Sequence, residues 1–394
     1  MIIAFSVENH RSIRERQTLN LEATADDHLS ESRIRECGSL RLLRSAAIFG
    51  PNASGKSSLI NAMMVMRGFV LASAREGQVN EKIPVNPYRL RQGSDMAPSL
   101  FEWEFFWKGG RYRYGFTADR EAIRSEWLMR KGSGKEAMLF TREGQAIDIN
   151  PAKFPEGIDR KQFARPNALF LSLCAQLNGE ESASILGWFE QLRFASGLSD
   201  RSLFTFTAKQ IQDAGHAKEL AGFARKADFC ISALSSELEE ATEDNVPKDI
   251  PEEHRRQLIS RKAVLGAEIK ARHTVYDIQG NACGHADFDL DVDESAGTRK
   301  FVSLAGPLHH TVQTGSIIVI DEFEARLHPS LTKAIWEWFH SPSNTGTAQL
   351  IVATHEILLM DPDILRRDQI WFFERDNFGA TQLSCLAEFD PQKV

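Results

Sequence analysis

The sequence predicts an α/β fold with an antiparallel β-subdomain and a helical insertion, and three observations carry that reading. Short runs such as Ala46-Ala47-Ile48-Phe49, Ile317-Ile318-Val319-Ile320 and Leu350-Ile351-Val352-Ala353 are apolar throughout, as strands buried on both faces are. Each run stops at residues that carry chemistry. Between the first run and the second, the pattern changes to alternating aromatic residues and then to helical periodicity.

The first run leads into Gly50-Pro51-Asn52-Ala53-Ser54-Gly55-Lys56-Ser57-Ser58 and then a helical pattern, Leu59 to Met66. This is the G-x-x-x-x-G-K-[ST] spacing of a P-loop. Gly50 and Gly55 let the backbone curl until successive N–H groups point inward at phosphate oxygens. Asn52, Ala53, Ser54 and Ser58 complete the cradle. Lys56 reaches the β- and γ-phosphates, Ser57 offers a hydroxyl to Mg²⁺, and the helix that opens here turns its positive end to the same anion.

The 394 residues are 42% hydrophobic and 26% charged, which is enough apolar material for one large core or two modest ones and excludes disorder as the default. No run of 18 apolar residues occurs, and the opening Met1-Ile2-Ile3-Ala4-Phe5-Ser6-Val7-Glu8 reads as a strand, so the expectation is a cytoplasmic chain without a membrane span. Five scattered cysteines without C-x-x-C spacing suggest neither a disulfide framework nor a zinc module. A net charge of −7 argues against a broad nucleic-acid surface and leaves room for a local basic groove.

Taken in order, Ile3, Phe5 and Val7 alternate, Asn9-His10-Arg11-Ser12 punctuate, and Leu19 and Leu21 alternate again, giving two strands around a turn. Arg11 lies in that turn, where a basic side chain points either at the nucleotide or into solvent. Residues 24–40 are polar and read as a loop. Phe101, Trp103 and Phe105, a Gly109-Gly110 turn, and Tyr112, Tyr114 and Phe116 form an aromatic hairpin whose stripe faces a core more readily than it stacks bases. The first part of the predicted α/β fold, with the P-loop and the antiparallel β-subdomain, therefore spans residues 1–177. Helical periodicity follows over 178–262, with Ile185, Trp188 and Phe189 on one face and Leu220, Phe223, Ile231 and Leu234 further on. Such an insertion serves as a lid, a dimer arm or a docking platform.

Residues 263–394 return to the α/β fold. Glu268 to Tyr276 has strand character, and Asp287, Asp289, Asp291 and Asp293 alternate with Phe288, Leu290 and Val292, which reads as a strand with a solvated acidic face. Ser295 and Gly297 stand at the mouth of a helical pattern through Phe301, Leu304 and Leu308, a second place for phosphate that is of most use to a nucleotide held by another subunit. After Ile317–Ile320 come Asp321, placed to hold Mg²⁺ through its water shell, and Glu322, placed to orient or deprotonate the attacking water. After Leu350–Ala353 comes His355, at the strand end where ligands of open α/β sheets bind and within reach of a γ-phosphate.

This order of parts resembles the ABC-type ATPase heads of the SMC/RecF group, and more closely the stand-alone AAA-labelled ATPases of the abortive-infection, RloB-associated and OLD-like defence type. The stretches that carry the resemblance are Gly50 to Ser58, Glu294-Ser295-Ala296-Gly297-Thr298, Asp321-Glu322-Phe323-Glu324-Ala325-Arg326-Leu327-His328-Pro329 and Ala348 to His355. It implies a P-loop NTPase of ABC-ATPase type with ATP and Mg²⁺ as cofactors, a homodimer or higher homo-oligomer that sandwiches ATP, and catalytic roles for Lys56, Glu322 and His355. It also implies a separately encoded effector, a nuclease or toxin, that reads the nucleotide state. The alternative is an SMC/RecF-like DNA-repair or DNA-end-processing clamp, for which nucleic acid is the partner. Ser-Ala-Gly-Thr stands where transporter ATPases carry Ser-Gly-Gly-Gln, Arg326 stands where the family usually has a small residue, and roughly 40 residues after His355 leave no room for a fused TOPRIM nuclease.

Overall fold

The structure, a computed structural model, describes residues 1–75, 78, 81–132, 134–198, 200–227, 230–247, 249–342 and 344–389. In chain order the first elements are β1 (Ile2–Glu8), β2 (Gln17–Asn20), α1 (Ser30–Arg33), β3 (Ile34–Cys37), β4 (Leu40–Leu43), β5 (Ser45–Phe49) and α2 (Lys56–Ala72). Next come β6 (Ser99–Trp107), β7 (Gly110–Ala118), β8 (Ile123–Lys131), β9 (Ala137–Glu143), β10 (Ala146–Ile149), α3 (Phe170–Gln176), α4 (Glu180–Glu190) and β11 (Leu192–Ser196). The central part holds α5 (Asp200–Ile211), α6 (Ala214–Lys226), β12 (Ile231–Glu240), α7 (Glu252–Ser260), β13 (Val264–Tyr276), β14 (Ala282–Asp289) and α8 (Ala296–Thr314). The last are β15 (Ile317–Asp321), α9 (Pro329–Phe339), β16 (Gln349–Ala353), β17 (Ile370–Arg375) and β18 (Thr381–Cys385).

Two compact units result. The first contains Met1–Phe194, Gly315–Glu322 and Thr345–Val394; the second contains Ala195–Thr314 and Phe323–Asn344.

In the first unit, a seven-stranded sheet runs β10-β9-β8-β7-β6-β1-β2 and a six-stranded sheet runs β11-β15-β16-β5-β17-β18. The P-loop strand β5 is central and pairs in parallel with β16 on one side and β17 on the other, while β15 lies parallel beyond β16. All five residues of β5 are buried, which explains its unbroken apolar run. Helix α2 contributes Leu59, Ile60, Met63, Met66 and Val70 to one hydrophobic core with side chains of both sheets. Phe101, Trp103, Phe105, Tyr112, Tyr114 and Phe116 all face that core, each gaining on the order of 1.5–3 kcal/mol from burial. None of these rings is available to stack on a base.

One buried polar side chain ties the sheets together. Gln349, at the start of β16, donates to the carbonyls of Ile2 and Leu43, and its Oε1 accepts from the Ile2 N–H at 2.5 Å. An amide has the two donors and the acceptor this place requires.

The second unit combines the antiparallel sheet β12-β13-β14 with α5 to α9. Phe223 of α6 packs its ring against Phe301 of α8 at 4.7 Å and Trp338 of α9 at 4.5 Å. Pro307 sits inside α8, where its missing N–H leaves the Ser303 carbonyl without its helical donor. Thr207 of α5 donates to that carbonyl at 2.7 Å, so α8 continues past the proline.

Four local readings are corrected by the structure. Residues 24–40, read as loop, contain α1 and the hairpin of β3 with β4. The aromatic hairpin turns at Lys108-Gly109, both at positive φ, while Gly110 already pairs with Trp107. Ile231 and Leu234, read as a helical face, lie on strand β12, where β-branched and small residues suit a sheet better than their spacing suggested. The acidic alternation ends at Asp289: its carboxylate accepts from the N–H groups of Asp291 and Val292, which bends the chain into a turn. Asp287 pairs with Arg272 at 2.7 Å and Asp291 with Arg299 at 3.2 Å, so the four carboxylates do not share one face. Among the described residues no group of three or more His, Cys, Asp or Glu side chains is arranged to hold a metal ion, and no helix is long and apolar enough to cross a membrane.

Candidate nucleotide site

Four adjacent parallel strands deliver the site. The ends of β15, β16, β5 and β17 lie along one margin of the six-stranded sheet, the margin at which ligands bind in open α/β sheets. From β5 comes the loop Gly50 to Gly55, from β15 Asp321 and Glu322, from β16 His355 two residues past its end, and from β17 Arg375. Asn52, Ala53, Ser54, Gly55, Lys56, Ser57, Ser58, Asp321, Glu322, His355 and Arg375 line one cavity of about 160 Å³.

Lys56 is buried, and its Nζ lies 2.7 Å from the Gly50 carbonyl, 3.2 Å from that of Pro51 and 3.1 Å from His355 Nε2. An ammonium group only donates, so His355 Nε2 accepts and the ring proton sits on Nδ1. The three contacts hold the lysine curled over its own loop, aimed at the cavity.

Gly50 and Gly55 are glycines because of what lies behind the loop. A Cβ on Gly50 would come within 2.4 Å of the Phe373 carbonyl oxygen, and one on Gly55 within 2.0 Å of Thr381 Oγ1. Gly55 also has φ +113°, a backbone that side chains rarely adopt. Helix α2 begins at Gly55 with no side-chain cap, leaving its first N–H groups directed at the cavity.

Asp321 and Glu322 follow four buried residues of β15. Asp321 Oδ1 is buried and has no hydrogen-bond partner among the described residues, which an oxygen ligand to a cation would be expected to lack. Beside the exposed Ser57 hydroxyl in the same cavity, it fits a Mg²⁺ site of hard oxygen donors. Glu322 adopts φ +52°, a strained conformation for a residue with a side chain.

Three predicted residues fall elsewhere. Arg11 lines a neighbouring cavity of about 420 Å³ with Ser12, Tyr88, Leu90, Arg375 and Gly379, and its N–H donates to the Asn86 carbonyl at 2.6 Å. Ser295 and Gly297 belong to the second compact unit, where Ser295 Oγ accepts from the Thr298 N–H at 3.1 Å and caps α8.

Sequence reasoning missed Arg375, which lines both cavities, and the hydroxyls of Ser12 and Thr381 beneath the P-loop. Arg375 had a signal. Ile370-Trp371-Phe372-Phe373 is a further mainly apolar run that ends in charged residues, the pattern that marked Asp321 and His355.

Fold and site together define a P-loop nucleotide-binding protein of ABC-ATPase type. A family profile matches residues 45–361, and the chain belongs to that family, described as "AAA domain, putative AbiEii toxin, Type IV TA system". Among solved structures it is similar to the SMC head domain from Thermotoga maritima, at 13% identity over 98% of both chains with a TM-score of 0.44. It is also similar to an SMC head bound to the C-winged helix domain of ScpA, at 13% identity over 100% of this chain and 99% of that one with a TM-score of 0.45. The recombination mediator protein RecF is similar at 13% identity over 97% of this chain and 98% of that one, with a TM-score of 0.32. No curated protein matches the chain.

Proposed function

We propose that this chain is an ATP-hydrolysing switch whose nucleotide state is read by a separately encoded effector in a bacterial anti-phage module of the abortive-infection kind. The observation that carries the chemistry is the single cavity that holds Lys56, Asp321, Glu322 and His355 with the P-loop. Family membership supports the defence setting.

In this reading the P-loop N–H groups and Lys56 bind the phosphates, and the neighbouring cavity beside Arg11 and Arg375 takes the nucleoside end. Ser57 and Asp321 would hold Mg²⁺, which would supply positive charge against the phosphate oxygens. Glu322 orients water and accepts its proton, while His355 gives up its contact with Lys56 and, in the tautomer protonated on Nε2, donates to the γ-phosphate. Ser295 and Gly297, at the start of α8, serve the nucleotide of a second copy, which makes the active form a homodimer.

The test is the mass in solution of Glu322→Gln with and without ATP, beside the ATP turnover of the unmutated chain with Mg²⁺ and with a chelator. ATP-driven association of the variant and chelator-sensitive turnover of the parent are the expected results. Turnover that Glu322→Gln leaves unchanged would remove the catalytic assignment. The rival reading, a DNA clamp, requires ATP-dependent DNA binding that falls steeply with salt.

A further inference from the structure

Behind the P-loop, three hydroxyls stand in a row. Thr381 Oγ1, on the first residue of β18, lies 2.9 Å from the Ser54 carbonyl oxygen and 2.8 Å from Ser12 Oγ, which lies 2.9 Å from Ser58 Oγ. Three contacts share three hydroxyl protons, and the carbonyl only accepts. Ser12 donates to Ser58, and Thr381, whose one proton is within reach of both Ser12 Oγ and the Ser54 oxygen, donates to the carbonyl.

That last bond fixes a peptide plane. In a trans peptide the carbonyl and the next N–H point opposite ways, so turning the Ser54 oxygen back to Thr381 turns the Gly55 N–H forward, to the cavity side. Gly55 is also where the plane is free to rotate, because a glycine at φ +113° pays no side-chain penalty for a flip. A flipped plane would aim a carbonyl oxygen at an anion. Thr381 is 1% exposed, and its own N–H donates to the Ser12 carbonyl at 2.8 Å, so the hydroxyl has a fixed mount.

We infer that Thr381 is a positioning residue of the nucleotide site, a latch that holds the Ser54–Gly55 peptide with its N–H toward phosphate. This rests on the nucleotide reading above. It adds a residue from the far end of the chain, and it explains why the position opposite Gly55 carries a hydroxyl.

The experiment is calorimetric titration of ATP into the full chain and its Thr381 variants, read well below each melting transition. Thr381→Val keeps the shape and removes the donor. Its ATP affinity is expected to fall about tenfold, the size of one lost hydrogen bond to a charged group, and Thr381→Ser is expected to stay within about twofold of the parent. A general structural role would lower the melting temperature and leave the folded protein's affinity alone. In turnover the latch shows as a raised KM at a kcat close to the parent's, since the Gly55 N–H is held before and during reaction alike. Thr381→Ala is the second donor-free variant should Thr381→Val not fold. Donor-free variants that bind ATP as the parent does overturn the latch alone; a parent that binds no ATP overturns both the latch and the nucleotide reading.

Discussion

Two helices in this chain begin with a pattern that suits an anion, and they are built differently. Helix α2 starts at Gly55 with no side-chain cap, so its first N–H groups open on the cavity beneath Lys56. Helix α8 starts after Ser295, whose own hydroxyl takes the Thr298 N–H. An uncapped N-terminus keeps its partial positive charge for a ligand, whereas a capped one has spent a donor on itself. The difference teaches that the start of α2 keeps its N–H groups free for an anion within one chain. The serine of α8 has a structural job before it has any other.

The largest effect that tests this contrast is on nucleotide affinity. Lys56→Ala removes the one ammonium in the cavity, and ATP binding to a single chain should weaken by about 100-fold, two hydrogen bonds to charged phosphate oxygens being worth roughly 3 kcal/mol together. Ser295→Ala in the same titration should leave affinity within about twofold, as loss of a helix cap is a stability term. Equal losses in the two variants would erase the distinction between the helices.

The same contrast explains what was legible in the sequence. Residues whose place is fixed by neighbours in the chain were readable: Gly50 to Ser58 by spacing, Asp321 and His355 by the buried strands that end in them. Arg375, Ser12 and Thr381 were not, because their role depends on β17 pairing with β5 and on the first turn meeting β18. Gly50 and Gly55 were legible as letting the backbone curl toward phosphate, but not that the side chain each lacks would strike Phe373 and Thr381 behind the loop. Residues 231–234 were misread because helical spacing and strand alternation coincide over four residues, and only pairing with β13 separates them. Asp289 to Asp293 looked like strand until the Asp289 carboxylate was seen closing a turn.

An effect of similar size, on stability instead of affinity, distinguishes α2 through its anchor. His10 is fully buried, its Nε2 lies 3.0 Å from Asn61 Oδ1 on α2, and its Nδ1 is unpartnered among the described residues. Burial holds the imidazole neutral and lowers its pKa from 6.5 to about 4, with the nearby Arg11 charge adding to this and the Asn61 bond opposing it. Between those values the unfolded chain binds the proton and the folded one does not, so stability rises with pH. The contribution is therefore complete above pH 6.5 and is lost as pH falls toward 4, amounting to about 3 kcal/mol. Hydrogen exchange of α2 amides across that window should show protection falling with acid. In His10→Gln the pH dependence should flatten, and an unchanged slope would assign the acid sensitivity to another group.

The smallest effect decides whether α8 does more than cap itself. Ser295→Ala should cost about 1 kcal/mol of stability, read as a melting temperature a few degrees lower. That alone would not separate a cap from a site that meets the nucleotide of a second copy. Ser295→Asp does, because aspartate caps a helix as well as serine and favours its positive end, so the melting temperature should hold. The same carboxylate facing a γ-phosphate would repel it. If α8 meets nucleotide in trans, ATP-driven association seen in Glu322→Gln should vanish when Ser295→Asp is added, with single-chain ATP affinity intact. If the double variant associates with ATP as before, the serine is a cap and nothing else, and the second half of the ATP site must be sought on another surface of the second unit.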